Sequence, residues 1–383
     1  MVDVQDAASG GDPALPALEE VLAGAVVVAL PLRVRFRGIE VREALLLRGP
    51  AGWGEFAPFL EYDDATAAAW LAAGLEAAWT GWPAPLRPRV TVNATVPAVP
   101  AARVPEVLAR FPGCTTAKVK VAERGQSLDD DVARVAAVRR EVARSEVARS
   151  EVARSEVARG VPDPGAARVR VDANGGWSVE EAAAALAALT AGPGQGPLEY
   201  AEQPCATVPE LVALRELLAR GGVDVRIAAD ESIRRASDPL AVVRAGAADV
   251  AVLKVPPMGG VRAVLALAEQ LRAEGQRRGG AAVPVVLSSA LDTAVGLSAG
   301  LAAAAALPLA DGEEQLASGL GTGSLLAADI VLGGVTGGVR EINHGSLPVG
   351  AVEPDPDLLE RHAAAPERRA WWLERLRRCY ALL

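Results

Sequence analysis

The stretch Val171-Asp172-Ala-Asn174-Gly-Gly-Trp177 follows a short apolar run and is the first of four similar stretches. The other three are Glu199-Tyr-Ala-Glu202-Gln-Pro204, Ala228-Ala-Asp230-Glu231-Ser232 and Val252-Leu-Lys254-Val-Pro-Pro257. From Asp172 to Glu202 is 30 residues, from there to Asp230 is 28, and from there to Lys254 is 24. An eight-unit β/α barrel takes roughly 250 residues, so each interval is about one strand and one helix. The spacing predicts parallel strands whose carboxyl ends bring these side chains to one rim.

Composition describes a globular chain with room for one large and one smaller domain. Of 383 residues, 51% are hydrophobic and 23% charged, and the net charge of −9 comes from interleaved acidic and basic residues. This balance excludes extended disorder and argues against a nucleic-acid partner. The long uncharged run from Thr293 to Ala310 is rich in small residues and includes Pro308, which favours a packed helix over a membrane span.

The three cysteines are far apart and odd in number, which favours neither a disulfide framework nor a zinc site. We therefore predict a cytoplasmic protein. Residues 1–13 lack the basic start and apolar run of a signal peptide and are interpreted as a frayed leader.

Patterning predicts three parts in the chain. Residues 1–105 combine alternating strands with an Ala-rich helix and form an N-terminal α+β capping domain. Residues 106–348 alternate short apolar strands with helices, the pattern of an α/β barrel. Six strand–helix units are clear, and the stretches around Leu316 and Ile342 leave room for a seventh and eighth strand. Residues 349–383 form a C-terminal helical segment that is expected to pack on the cap.

A repeat interrupts the barrel sequence. Residues 141–160 are four near-identical copies of Glu-Val-Ala-Arg-Ser/Gly. On an α-helix a five-residue period advances the valines by about 140° per copy, so they form no apolar stripe. Each Glu meets an Arg three residues later, which favours a solvated helical extension over a partner-binding arm.

Asp172, Glu202 and Asp230 offer three oxygen ligands without sulfur or imidazole. This set suits a hard cation, Mg²⁺ above Ca²⁺ or Zn²⁺. Each carboxylate alone is better explained as a helix cap. Three in succession at barrel strand ends favour a metal site.

The only lysines of this Arg-rich chain are Lys118, Lys120 and Lys254. Lys118 and Lys120 are two apart and share one face of a predicted strand, which inside a barrel is the interior. A buried amine beside another cation has a lowered pKa and can act as a base, whereas surface lysines on an edge strand would not. His344 and His362 lie outside the acidic series. The chemistry that these residues still allow is removal of a proton α to a carboxylate by a lysine beside a metal ion.

These motifs, Lys118-Val-Lys120, Asp172-Ala-Asn174, Glu202-Gln-Pro, Asp230-Glu231-Ser and Lys254-Val-Pro, together resemble the enolase superfamily in its muconate-lactonising subgroup. With the run from Leu45 to Tyr62, the chain most resembles the actinobacterial family of o-succinylbenzoate synthases. The resemblance implies an α+β cap over a modified (β/α)₇β TIM barrel and a small carboxylate substrate. The repeat of residues 141–160 departs from the family pattern.

The resemblance also assigns roles. It implies Mg²⁺ held by Asp172, Glu202 and Asp230, with Asn174 and Glu231 close to the metal or its ligands. Lys120 would remove the α-proton of 2-succinyl-6-hydroxy-2,4-cyclohexadiene-1-carboxylate and then assist departure of the hydroxyl. On the other face Lys254 would stabilise the enolate, while Lys118 would tune Lys120. Ser288 and Ser289 are candidates for substrate contact.

Two other interpretations stay open at this point. Two lysines on opposite faces also suit racemisation of N-succinylamino acids or epimerisation of dipeptides. A non-catalytic metal-binding assembly protein would use the repeat and the C-terminal helix instead.

Overall fold

The computed structural model describes residues 15–36, 38–156, 167–192, 194–277, 282–309, 315–332 and 341–383. For residues 145–156 it describes the backbone only. The predicted leader, residues 1–13, and the end of the repeat, residues 157–160, lie outside this set. The rest of the repeat continues helix α4, Leu128–Glu156, and Arg144 pairs with Glu141 at 2.6 Å.

The capping domain is built on a three-stranded antiparallel sheet. After the short helix α1 (Leu18–Ala23), its strands are β1 (Ala25–Phe36), β2 (Ile39–Gly49) and β3 (Gly52–Phe56). Helix α2 (Asp64–Leu75) starts where the Asp63 carboxylate accepts a hydrogen bond from the Thr66 N–H at 2.8 Å. A Cβ on Gly54 would lie 1.9 Å from the Gly74 carbonyl oxygen, so this glycine lets α2 approach the sheet closely.

The C-terminal segment packs against this cap. It contains α11 (Pro356–Arg361) and α12 (Pro366–Tyr380). Trp372 is 1% exposed, meets Phe56 edge to face at 5.8 Å and donates to the Glu43 carboxylate at 2.9 Å. The large buried aromatic surface anchors the chain's end to its first strands.

Seven parallel strands form the main sheet in the order of the sequence. They are β5 (Ala94–Val96), β6 (Thr116–Lys120), β7 (Arg168–Asp172), β8 (Ala201–Glu202), β9 (Ile227–Ala229), β10 (Val250–Lys254) and β11 (Val285–Ser288). Within the described ranges the remaining α-helices are α3 (Val104–Leu108), α5 (Val179–Ala191), α6 (Val208–Gly221), α7 (Glu231–Arg234), α8 (Ala241–Arg244), α9 (Val261–Arg277) and α10 (Ala294–Ala306). All 13 residues of α10 are buried, so the uncharged run is a packed helix as predicted.

Single bridges link the two edges of the sheet. Ser318 bridges in parallel to Val92, just before β5, and Gly319 bridges in parallel to Ser288 on β11. These residues supply the strand predicted around Leu316. The confirmed fold is α/β, with a curled parallel sheet and an N-terminal domain of antiparallel strands.

Two parts of the sheet differ from the sequence prediction. Its first strand, β5, lies before residue 106, within the part predicted to be the cap. The sequence pattern does not reveal this strand, because it is only three residues long and is followed by Pro97 and Pro100. The prediction that the stretch around Ile342 supplies a barrel strand is wrong. The chain reverses at His344 and Gly345, both at positive φ, and β12 (Ser346–Pro348) pairs antiparallel with β4 (Arg89–Thr91).

Strand register aligns the predicted site residues. Lys120 on β6 is the partner of Asp172 on β7, and Asp172 is the partner of Glu202 on β8. Lys254 at the end of β10 is the partner of Ser288 on β11. The carboxyl ends of parallel strands lie at one edge of the sheet, so this register places these side chains together at one end of the barrel.

Candidate active site

A cavity of about 540 Å³ lies where the cap covers the carboxyl ends of the strands. This volume includes space that is open to solvent. From the predicted set it is lined by Lys118, Lys120, Asp172, Asn174, Lys254, Ser288 and Ser289. It is lined further by Phe36, Phe59, Tyr62, Trp70, Thr95, Arg234, Pro257, Ala290, Leu291, Gly319 and Thr322.

Lys118 bridges two of the carboxylates. Its Nζ lies 3.0 and 3.1 Å from the two Glu202 oxygens and 3.3 Å from Asp172 Oδ2. Burial alone would lower the pKa of Lys118, but the charges of Glu202 and Asp172 more than offset it and raise that pKa. Lys118 therefore stays protonated beside its neighbour on the strand.

Lys120 reaches the cavity from the same strand. Its Nζ donates to Asp172 Oδ2 at 2.6 Å and to Asn174 Oδ1 at 2.7 Å, and it lies 5.6 Å from the centre of the Phe36 ring of the cap. Burial lowers the pKa of Lys120, and the charge of Lys118 lowers it further in opposition to Asp172. A lowered pKa makes the neutral amine, the basic form, more accessible.

Asp230 is held by cations on both oxygens. Lys254 Nζ donates to Oδ2 at 2.5 Å, and Arg234 Nε donates to Oδ1 at 2.9 Å. The Arg234 guanidinium also donates to Glu231 Oε1 at 2.5 Å and to the Tyr62 hydroxyl at 2.8 Å. Burial opposes ionisation of Asp230, but Lys254 and Arg234 lower its pKa overall, so the carboxylate remains charged.

The arrangement pairs each predicted carboxylate with a lysine. Within the described ranges, no group of three or more His, Cys, Asp or Glu side chains is arranged to hold a metal ion. Lysine amines take the carboxylate oxygens instead. Asn174 donates to Glu231 at 3.4 Å, which joins the two residues expected near the metal.

The donor set nevertheless suits a divalent cation. Asp172, Glu202 and Asp230 are at most 1% exposed and offer only hard oxygen ligands. Burial, followed by the charge of Asp172, raises the pKa of Glu202 to about 7. The charges of Asp172 and Asp230 add to the effect of burial, and a divalent cation would relieve this part of the rise.

Hydroxyl side chains form another part of the cavity wall. Ser289 Oγ and Thr322 Oγ1 are 2.5 Å apart, and both side chains are buried. Gly319 packs so closely that a Cβ there would lie 2.5 Å from Ser288 Oγ. The predicted serines thus border the cavity at the point where the sheet edges meet.

Sequence reasoning missed the contributions of Arg234 and of the cap. Arg234 follows Asp230 by four residues, a spacing that puts two side chains on one face of a helix and signals the pair. Phe59, Tyr62 and Trp70 pack with ring centres about 6 Å apart, and all three line the cavity. No local pattern places these cap residues over the barrel.

Comparison with known proteins agrees with this architecture. The Enolase N-terminal domain-like model matches residues 27–78, and the Enolase C-terminal domain-like model matches residues 143–336. The chain belongs to the enolase superfamily. It is 54% identical to the o-succinylbenzoate synthase of Mycobacterium leprae, across 96% of this chain and 95% of the relative. The Mycolicibacterium smegmatis o-succinylbenzoate synthase is also 54% identical, across 96% and 99%. The chain is a member of the o-succinylbenzoate synthase family and a lyase of the dehydratase type, which confirms the prediction.

Solved structures share the fold at much lower identity. Muconate lactonizing enzyme from Pseudomonas fluorescens, complexed with muconolactone, has a TM-score of 0.65 at 21% identity, covering 89% of this chain and 98% of that one. The N-succinyl Arg/Lys racemase from Bacillus cereus has a TM-score of 0.62 at 17% identity, covering 89% and 97%. None of the helices in the described ranges is long and apolar enough to cross a membrane.

Proposed function

We propose that this chain dehydrates 2-succinyl-6-hydroxy-2,4-cyclohexadiene-1-carboxylate to 2-succinylbenzoate, with Mg²⁺ as cofactor, in the menaquinone pathway. The observation that carries the proposal is Lys120: a cavity-lining amine, only 14% exposed and with a lowered pKa, that donates to the buried carboxylate of Asp172. Within the described residues Cys114, Cys205 and Cys379 form no disulfide with one another, which fits the cytoplasmic location that we also propose.

Lys120 acts as the base in this proposal. Its neutral amine takes the proton on the carbon that bears the substrate carboxylate, and the electron pair moves into that carboxylate as an enediolate. The same lysine, now protonated, donates to the hydroxyl on the adjacent carbon. The hydroxyl leaves as water and the ring becomes aromatic, so the proton taken is returned to the leaving group.

Other residues prepare the site for this reaction. Lys118 stays protonated and keeps the pKa of Lys120 low. Lys254 presents its amine from the end of β10 and would stabilise negative charge on the intermediate. Asn174 Oδ1 accepts from Lys120 and so orients the base. Ser288 and Ser289 line the cavity and are proposed to contact the substrate.

Asp172, Glu202 and Asp230 would hold the cation. Bound Mg²⁺ would supply a Lewis acid for the charge that develops on the substrate carboxylate. Lys118, Lys120 and Lys254 donate to these carboxylate oxygens, so a bound cation would compete with all three amines for them. An amine of Lys120 or Lys254 displaced in this way would be free to face the substrate.

The test uses purified protein stripped with a chelator and reloaded with Mg²⁺. We expect loss of the cyclohexadiene absorbance and appearance of the aromatic product, with activity only in the reloaded enzyme. Lys120→Ala should lose at least 10²-fold in kcat, the low end for a general base. Arg124→Ala, which removes an exposed cation four residues away, is the matched control and should retain activity. Normal turnover by Lys120→Ala would rule out the assigned base.

Racemisation of N-succinylamino acids is the second candidate. The observation in its favour is that two amines, Lys120 and Lys254, line one cavity and each pairs with a different aspartate. Proton exchange of N-succinylamino acids in deuterated water, with inversion at the α-carbon, would demonstrate it. Retention of configuration without exchange would exclude it.

A further inference from the structure

Arg234 joins three groups that belong to different parts of the molecule. Its Nε donates to Asp230 at the end of β9, its Nη2 to Glu231 on α7, and its Nη1 to the hydroxyl of Tyr62 in the cap. The side chain is 4% exposed, so these bonds form largely out of water. Hydrogen bonds between a guanidinium and a carboxylate are strong and directional in such surroundings.

The bond to Asp230 has a specific consequence. Arg234 takes Oδ1, whereas Oδ2 accepts from Lys254. When that lysine turns away, Oδ2 is the oxygen available to a cation, while the guanidinium still fixes the plane of the carboxylate. The guanidinium can fix the carboxylate because its other nitrogens remain hydrogen-bonded to Glu231 and Tyr62.

The bond to Tyr62 connects this ligand to the cap. Tyr62 lines the cavity and packs edge to face on Phe59 at 6.0 Å, and Phe59 in turn lies under the buried guanidinium of Arg42. The hydroxyl of Tyr62 is therefore held by the aromatic packing of the cap. Any displacement of the cap moves the partner that fixes Arg234.

We propose that Arg234 is a positioning residue that fixes Asp230 for the divalent cation and ties it to Tyr62, so that seating of the cap sets metal affinity. This inference rests on the proposed metal ligands. Partners that orient metal ligands change metal affinity by 10- to 100-fold when they are removed. Loss of a nearby positive charge acts in the opposite direction, since it would tighten binding of a cation.

The experiment measures binding of Mn²⁺, without substrate, from the electron paramagnetic resonance signal of the free ion. We expect Arg234→Met to weaken binding by 10- to 100-fold. Arg234→Lys keeps the charge but cannot reach three partners, so it should weaken binding to a smaller extent. Tyr62→Phe should weaken binding by roughly 2- to 10-fold, the effect of one hydrogen bond.

Arg235→Met is the matched control. Arg235 also donates to the Tyr62 hydroxyl, at the longer distance of 3.4 Å, and lies 5.6 Å from the centre of that ring, but its side chain is exposed. Its removal takes away one charge from the same helix end and should leave Mn²⁺ affinity within twofold. Thermal melts accompany each variant, so that a change in affinity is read only on folded protein. If Arg234→Met does not fold, Arg234→Lys and Tyr62→Phe decide the question.

The outcomes separate this inference from the proposed function. Unchanged or tighter Mn²⁺ binding in folded Arg234→Met, or in both Arg234→Lys and Tyr62→Phe, overturns the positioning role alone. Failure of the wild-type protein to bind Mn²⁺ overturns both the metal ligands and the role of Arg234. Weaker binding in the Arg234 and Tyr62 variants but not in Arg235→Met supports the connection between cap and metal site.

Discussion

Glu55 of the cap is hydrogen-bonded to the barrel, and we expect it to make the stability of the protein depend on pH. Its Oε2 accepts from the Thr293 N–H at 3.1 Å, the Thr293 hydroxyl at 2.6 Å and the Gly296 N–H at 3.1 Å, at the start of α10. Burial, followed by the charge of Asp292, raises the pKa of Glu55 from 4.5 to about 7. We expect Glu55→Gln to stabilise the protein relative to wild type as the pH rises.

The magnitude follows from proton linkage. Between pH 4.5 and pH 7 the folded protein keeps the Glu55 proton, while the unfolded chain has released it. Wild-type stability therefore falls as the pH rises through this window and is constant above it. The difference between the two pKa values corresponds to about 3 kcal/mol, most of it between pH 5 and pH 8. Glutamine cannot ionise, so the variant escapes this loss.

Urea unfolding at pH 5, 6, 7 and 8 measures the effect. The free energy of unfolding of Glu55→Gln, minus that of wild type, should rise by about 2 to 3 kcal/mol across the series. Glu43→Gln is the control, because the hydrogen bond from Arg368 lowers the pKa of Glu43, and its difference from wild type should be flat in this range. A flat difference for Glu55→Gln as well would refute a raised pKa at this position.

Three further predictions concern the cavity and the C-terminal helix. Lys118→Met removes the charge that lowers the pKa of Lys120, so the rising limb of the pH–rate profile should move to higher pH; an unmoved limb would contradict the coupling. Ser289→Ala should raise KM by about 2- to 10-fold, as one hydrogen bond to substrate would, with a smaller change in kcat. Trp372→Ala should lower the free energy of unfolding by about 3 to 5 kcal/mol in urea titrations. The partly exposed Trp371, changed to Ala, should cost less, and equal losses would count against the packing argument.

Sequence periodicity predicted the barrel because its strands are marked chemically as well as by hydrophobicity. Asp172, Glu202, Asp230 and Lys254 each follow an apolar run, and the register brings Lys120, Asp172 and Glu202 side by side. The short strand β5 and the bridging residues around position 318 end in no such charged residue. This is why β5 and the bridging residues around position 318 could not be bounded from pattern alone.

The contribution of the cap to the site could not be predicted from the sequence, for a different reason. Tyr62, Phe59 and Phe36 reach the lysines and Arg234 only through the tertiary contact between the two domains. Nothing in the sequence near these aromatics specifies that contact. The pairing of each lysine with a particular carboxylate likewise depends on strand neighbours that are separated by whole helices.

The bridges at Ser318 and Gly319 affect how the chain folds during its synthesis on the ribosome. Val92 emerges 226 residues before Ser318, its partner across the sheet edge. Domains form from the N-terminus during synthesis, at about 5 to 20 residues per second. For roughly ten seconds or more a nascent chain therefore lacks the residue that pairs with Val92. Over that interval the unpaired strand edge beside β5 is open to pairing with another nascent chain.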